Sequence, residues 1–172
     1  VLARGMHLKG GSITVRRGDN RAWMEGPGEA ELPLDSSSFS NPLGQPQIES
    51  GPGKTLPVPG AKTETARVQW QQGFTFDGQV LTVNGQVLVR TENDRQVMMA
   101  QRMIVTFDQY VNFTNPAKDV SPQVTRIQAD GGVFVQNRSF DERMQQTSFD
   151  QFQVQNFTYE QQTGALHADG PG

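Results

Sequence analysis

The side chains with the most chemical reach in this chain are three carboxylates. Asp77, Asp108 and Glu160 each close a short run of apolar residue, threonine, aromatic and acid: FTFD at 74–77, VTFD at 105–108 and FTYE at 157–160. Two such carboxylates held together would make a general acid and a general base. Each, however, ends a strand-like run ahead of a turn, where an acid is ordinarily solvated, and no serine, histidine or cysteine constellation accompanies them. His7 and His167 are the only histidines. They lie far apart in the sequence, and His167 has the opposite parity to Leu166 and Ala168 along its run, so neither a metal pair nor a general base is expected. With no cysteine, a disulfide framework and a thiolate metal site are excluded. The expectation is a protein without catalytic residues, metal or cofactor.

Arginine remains. Its planar fork grips phosphate through two parallel hydrogen bonds. Arg126, Arg138 and Arg143 flank one stretch of the chain, and Arg16, Arg17 and Arg21 another. They are either a rim for phosphate groups or, more plainly, solvated side chains of a strand face. A net charge of −3 and a pI near 5.3 leave no footprint for a phosphate backbone, so nucleic acid is not expected as a partner.

What must position these side chains is strand. Eighteen glycines and ten prolines in 172 residues, with polarity supplied by Gln, Asn, Ser and Thr, suit short strands and turns. Period two runs through VQWQQGFTFD, where Val68, Trp70, Phe74 and Phe76 share a side, and through MIVTFDQYV, where Met103, Val105, Phe107 and Val111 do so. Phe152 and Val154 share a parity that Phe157 and Tyr159 do not, which predicts a bulge near Gln155 and Asn156. Helical periodicity is weak throughout, and no run approaches the roughly 20 apolar residues of a membrane helix.

The runs repeat. Residues 149–172 laid on 5–28, an offset of 144 (170 less 26), put Phe157 on Ile13, Leu166 on Ala22 and Gly170-Pro171-Gly172 on Gly26-Pro27-Gly28. At an offset of 46 (131 less 85), Val83, Gly85, Val87 and Val89 meet Ala129, Gly131, Val133 and Val135. Internal repeats are therefore expected, with Gly-Pro-Gly as punctuation where one strand ends and the next unit begins. Asn84-Gly85 and Asp130-Gly131 admit two readings: a type I′ hairpin turn, or a bend inside one long strand. Parity survives across the glycine, which favours the bend. Residues 33–63 interrupt the pattern with six prolines among Ser and Gly and read as a long loop or insertion. The organisation expected is a partial repeat over 1–32, an insertion over 33–66 and the main run of repeats over 67–172, all part of a longer protein.

The recurring unit is an alternating strand ending in Thr-aromatic-acid, a short turn such as EQQTGAL, and an apolar strand entering Asp/Asn-Gly-x-Val. FTYEQQTGALHADGPG and IQADGGVFVQNRSFDERMQQTSFDQFQV carry it best. This resembles the OstA-like repeat of bacterial lipopolysaccharide-transport proteins: the periplasmic bridge protein, its membrane-anchored partner and the N-terminal part of the outer-membrane translocon. The resemblance covers 67–172 and, less fully, 6–32.

It implies an all-β fold, a repeat-built antiparallel V-shaped jelly roll open or partly open along one side. It further implies a place in the periplasm or envelope of a Gram-negative-type bacterium, lipopolysaccharide or another acylated lipid as partner, and stacking with other OstA-like modules through strand edges. The groove would be lined by Trp70, Phe74 and Phe76, by Val83, Val87 and Val89, by Val105 and Phe107, by Ala129, Val133 and Val135, and by Phe157 and Tyr159, with Arg126, Arg138 and Arg143 at a phosphate rim. The same apolar residues would equally fill the closed core of a β scaffold acting through edge pairing alone, since a buried CH₂ is worth about 0.8 kcal/mol whichever neighbour covers it. A carbohydrate-binding sandwich, the third reading, needs an exposed aromatic platform, for which Trp23, Trp70 and Tyr110 are the candidates.

Overall fold

The computed structural model of the chain describes residues 7–34, 64–91, 94–114, 122–141 and 143–170. Its regular elements are β-strands: β1 His7–Gly10, β2 Ile13–Arg16, β3 Arg21–Glu25, β4 Gly28–Leu34, β5 Glu64–Trp70, β6 Gly73–Phe76, β7 Val80–Thr91, β8 Gln96–Phe107, β9 Val124–Phe140, β10 Gln146–Glu160 and β11 Ala165–Asp169. Every pairing is antiparallel. One path runs β1-β4-β5-β7-β8-β9-β10-β11, while β2, β3 and β6 pair among themselves and with β7.

This order becomes simple once β1 with β2, β3 with β4, and β5 with β6 are each seen as one strand broken in the middle. β7 joins the halves, because its residues 81–84 pair with β6 and its residues 88–91 with β5. The chain is thus a meander of eight positions along that path, and each strand spanning the sheet is interrupted or bulged halfway. The interruptions fall on a common line. Register shifts separate Asn84 from Val87, Met99 from Arg102, and Val154 from Asn156.

Glycine makes the line. Gly85 and Gly131 have φ of 82° and 85°, a left-handed conformation that costs an L side chain about 1–2 kcal/mol. Each also lies hard against a glutamine of the adjacent chain, Gln72 between β5 and β6 and Gln101 in β8. A Cβ on Gly131 would sit 2.7 Å from Cβ and 2.9 Å from Cγ of Gln101, and one on Gly85 would collide with Gln72. Both glycines lie inside continuous strands, β7 and β9, so the bend is the reading that holds and the hairpin is not. The bulge expected near Gln155 and Asn156 is present, with Val154 opposite Val133 and Asn156 opposite Asp130.

The line is a fold. One leaf carries β2, β3, β6 and β11 with residues 80–84, 102–107, 124–130 and 156–160; the other carries β1, β4 and β5 with residues 87–91, 96–99, 133–140 and 146–154. Val68 and Trp70 of the second leaf share one cluster with Met103, Val105 and Ile127 of the first. A single uncovered sheet leaves its side chains in water on both faces, so such burial requires the two leaves to close over each other. The result is an open, all-β antiparallel folded sheet, as expected.

Two boundaries differ from the sequence expectation. Pro33 and Leu34 belong to β4, and residues 64–66 to β5, paired as Pro33 with Thr65 and Leu34 with Glu64. The expected insertion is strand at both ends, and its residues 35–63, including the Gly-Pro-Gly at 51–53, lie outside the described residues. Val111 does not extend β8, which ends at Phe107. It belongs instead to the connection that follows, its N–H donating to Gly78 O at 2.7 Å.

Candidate functional site

Parity decides what faces the interior of the fold. Along β7, Val83 and Val87 are buried and Thr82 is only half-buried; along β9, Ala129, Val133 and Val135 are buried, with Gly131 and Gly132 exposed at the bend between them. All thirteen apolar residues expected to line a groove lie on this inner face, packed in two adjoining clusters.

They do not lie at one depth. Beside the fold line, Trp70, Phe74, Val83, Val87, Ala129, Val133 and Phe157 are 0–3% exposed, and Trp70 meets Phe74 edge to face at 5.5 Å. Val105 and Val135 are nearly as buried. Further along the strands, Phe76, Val89, Phe107 and Tyr159 are only half-buried. Burial is therefore uneven along the strands, for Val68 and Ile127, opposite half-buried Val89 and Tyr159, are both 3% exposed. Phe76 is flanked by Phe107 at 6.0 Å and Phe113 at 5.7 Å.

Several members of this face escape a search for large apolar residues. Ala22, Met24, Ala30, Ala66, Met98 and Ala100 are all buried; period two would have found them. Phe113 has no such signal, because it arrives from the connection after β8. Asn20 holds it: its Oδ1 accepts from Phe113 N at 2.7 Å, and its Nδ2 donates to Val111 O at 2.5 Å. Asn20 is 6% exposed, and its two side-chain bonds satisfy the polar group that burial would otherwise penalise.

The charged candidates stand elsewhere. Asp77 Oδ1 accepts from Gln79 N at 3.1 Å and Val80 N at 2.8 Å and closes the β6–β7 turn, while Asp108 Oδ1 accepts from Gln123 N at 2.8 Å and ties together the two ends of the β8–β9 connection. Glu160 faces Arg126 across β10 and β9. Arg138 lies over the Phe149 ring at 5.5 Å, and Arg143 sits in the β9–β10 turn, its N–H bonded to Asp141 Oδ1. Arg126 belongs to the first leaf and Arg138 to the second, so the fold line separates these arginines. His7 and His167 lie on β1 and β11, the two edges of the sheet. Among the described residues no three His, Cys, Asp or Glu side chains are grouped to hold a metal, and no helix is long and apolar enough to cross a membrane.

Both edges carry apolar inner-face residues that the described residues leave partly or wholly uncovered. In β2, Ile13 pairs with Met24 and Val15 with Ala22, yet Ile13 is 37% and Val15 44% exposed. At the other edge Leu166 is half-buried and Ala168 exposed. The two edge hairpins are the same unit. Phe157 pairs with Ala168 and Tyr159 with Leu166, each 144 positions on from Ile13 with Met24 and Val15 with Ala22. Their turns match too, with positive φ at Asn20 and Gly164, again 144 apart.

No protein-family model matches the chain, and no curated protein matches it in sequence.

Proposed function

We propose that this chain is a non-catalytic module of the OstA-like type, which shelters acyl chains against the inner face of its folded sheet and stacks end to end with like modules. The observation that carries this reading is the inner face itself: it stays apolar out to both strand edges, and at one of them Ile13 and Val15 are 37% and 44% exposed beside backbone groups that an edge strand presents for pairing. The repeat resemblance supplies the lipid, lipopolysaccharide, and the setting, a bacterial envelope.

Acyl chains would lie toward the free ends of the strands, along half-buried Phe76, Phe107 and Tyr159, rather than beside the fold line, where Val83 and Val133 leave no room. The mechanism is passive: apolar walls remove each methylene from water at about 0.8 kcal/mol, and no bond is made or broken.

Native mass spectrometry of the purified chain with lipid A tests it. Phe107→Asp and Tyr159→Asp, placed where burial is partial, are expected to lose adducts while keeping the wild-type circular dichroism spectrum. The tightly packed half of the core favours a second reading, a scaffold that works through edge pairing alone. A wild-type chain that takes up no acylated ligand yet forms concentration-dependent oligomers establishes the scaffold instead.

A further inference from the structure

A concavity lies on the outer face of the first leaf, opposite to the apolar interior. It holds about 450 Å³; Arg16, Arg21, Trp23, Thr75, Asp77 and Thr82 line it, together with Ala22, Phe76 and Val80. Register explains the gathering: Trp23 is opposite Thr75, and Thr75 opposite Thr82, in one row across β3, β6 and β7. These residues alternate with buried Ala22, Met24, Phe74 and Val83, so they point away from the core.

The polar groups here are only partly used. Arg16 lies over the Trp23 ring at 5.3 Å and pairs with Asp19 at 3.5 Å, which is a sufficient structural role for it. Arg21 has no such role: it makes no ion pair among the described residues, although Arg21 precedes Ala22 and Asp77 follows Phe76, and those two are opposite one another in register. Asp77 spends Oδ1 on two backbone N–H groups, which orients the carboxylate and leaves Oδ2 unengaged among the described residues. The chain therefore sets an indole, an unpaired guanidinium, a fixed carboxylate oxygen and two threonine hydroxyls around one cavity.

That set matches a sugar ring. The apolar C–H face of a pyranose packs on an aromatic surface, while ring hydroxyls need both donors and acceptors at short range, which guanidinium, carboxylate and hydroxyl supply together. The unpaired cation adds a preference for an anionic substituent, gripped through its fork. We infer that the outer face of the first leaf binds an acidic saccharide, a sugar ring bearing a carboxylate or a phosphate. This site is independent of the acyl-chain reading, which concerns the other face.

The test is a titration of the ¹⁵N-labelled chain with glucuronate, glucose 6-phosphate, glucose and inorganic phosphate, followed at the two tryptophan Nε1–H signals and the Thr75 and Thr82 amides. Saturable shifts at Trp23, Thr75 and Thr82 with glucuronate, glucose 6-phosphate or both are expected, with Trp70 unmoved, and the stronger of the two identifies the anionic group. Glucose should bind about tenfold more weakly, and Arg21→Ala should weaken the acidic sugar by about tenfold while the Trp70 signal stays in place. Trp23→Phe, which keeps an aromatic floor, should retain binding that Trp23→Ala loses. The inference is overturned if neither acidic sugar gives a saturable shift. It is equally overturned if inorganic phosphate binds as tightly as glucose 6-phosphate and Trp23→Ala leaves binding unchanged, for the site is then an arginine contact to any anion.

Discussion

Gly131 and Gly132 are adjacent, share nearly the same backbone at φ of 85° and 84°, and differ in surroundings: a Cβ on Gly131 meets Gln101 at 2.7 Å, while one on Gly132 meets nothing within 4 Å. Alanine at 132 should therefore cost only the left-handed conformation, about 1–2 kcal/mol. At 131 the side-chain root of Gln101 cannot swing away, and overpacking adds to the same term, so about 2–4 kcal/mol is expected. Urea unfolding of the two variants measures the difference, and equal losses would mean that close approach across the fold line is not what selects glycine there. A second residue-scale case is Glu29. Its carboxyl is held below the ordinary carboxylate range, chiefly by the Gln69 amide, which donates to Oε2 at 2.8 Å, with Arg67 and Lys9 adding favourable charge and partial burial opposing them. Because the folded state depresses this pKa, its contribution is full above the unfolded value of about 4.3 and is lost as pH falls through the folded one. Glu29→Gln should therefore have a lower urea midpoint than the wild type at pH 7, and the difference should shrink as pH falls below that unfolded value; a difference that grows in acid contradicts this.

At the scale of elements, period two and the two offsets carry most of what the sequence discloses. The offset of 144 pairs β2–β3 with β10–β11 in identical register, and the offset of 46 sets the bend of β7 on the bend of β9. Both are legible because a pleated strand shows its face in alternate residues and a bend that keeps parity leaves the pattern intact. Gln86, with φ of 47°, occupies the place that Gly132 takes 46 positions later, so the repeat also shows where the chain departs from its own pattern. The depth of each inner-face residue was not legible: Val83 and Val89 have the same parity and type, yet one is buried and the other half-buried, although Val68, opposite Val89, is buried. Nor was Phe113, since a connection has no period, and its docking depends on Asn20, which in sequence is one more polar residue of the turn in GDN. The outer-face cavity escaped for a related reason. Its residues come from four strands, and only register brings Trp23, Thr75 and Thr82 into line.

At the scale of the molecule, equivalent hairpins at both edges mean that the sheet ends on one side with the motif with which it begins on the other. A second copy can then add its β2 to the β11 of the first and continue the meander, a heterologous contact that propagates rather than closes. Register follows from the fold line. Across β3 and β6 the first inner-face pair beyond it is Met24 with Phe74; Ala168 corresponds to Met24, and Ile13 is the first inner-face residue beyond the line in the incoming strand. Ala168 of one copy should therefore face Ile13 of the next, and Leu166 should face Val15. The absence of native cysteine makes this directly testable. Directly opposed residues in antiparallel strands have Cα atoms about 4.5–5.5 Å apart, within disulfide range, so Ile13→Cys with Ala168→Cys in one chain should give a ladder of oxidised oligomers. Moving the first cysteine to Thr14, on the opposite face, should not. Val15→Lys, at a position already 44% exposed, should abolish the ladder while leaving the unfolding midpoint nearly unchanged, because a charge blocks edge pairing without entering the core. Oligomers that link Thr14→Cys as readily as Ile13→Cys would show that any association uses another surface, and the end-to-end reading would fall with them.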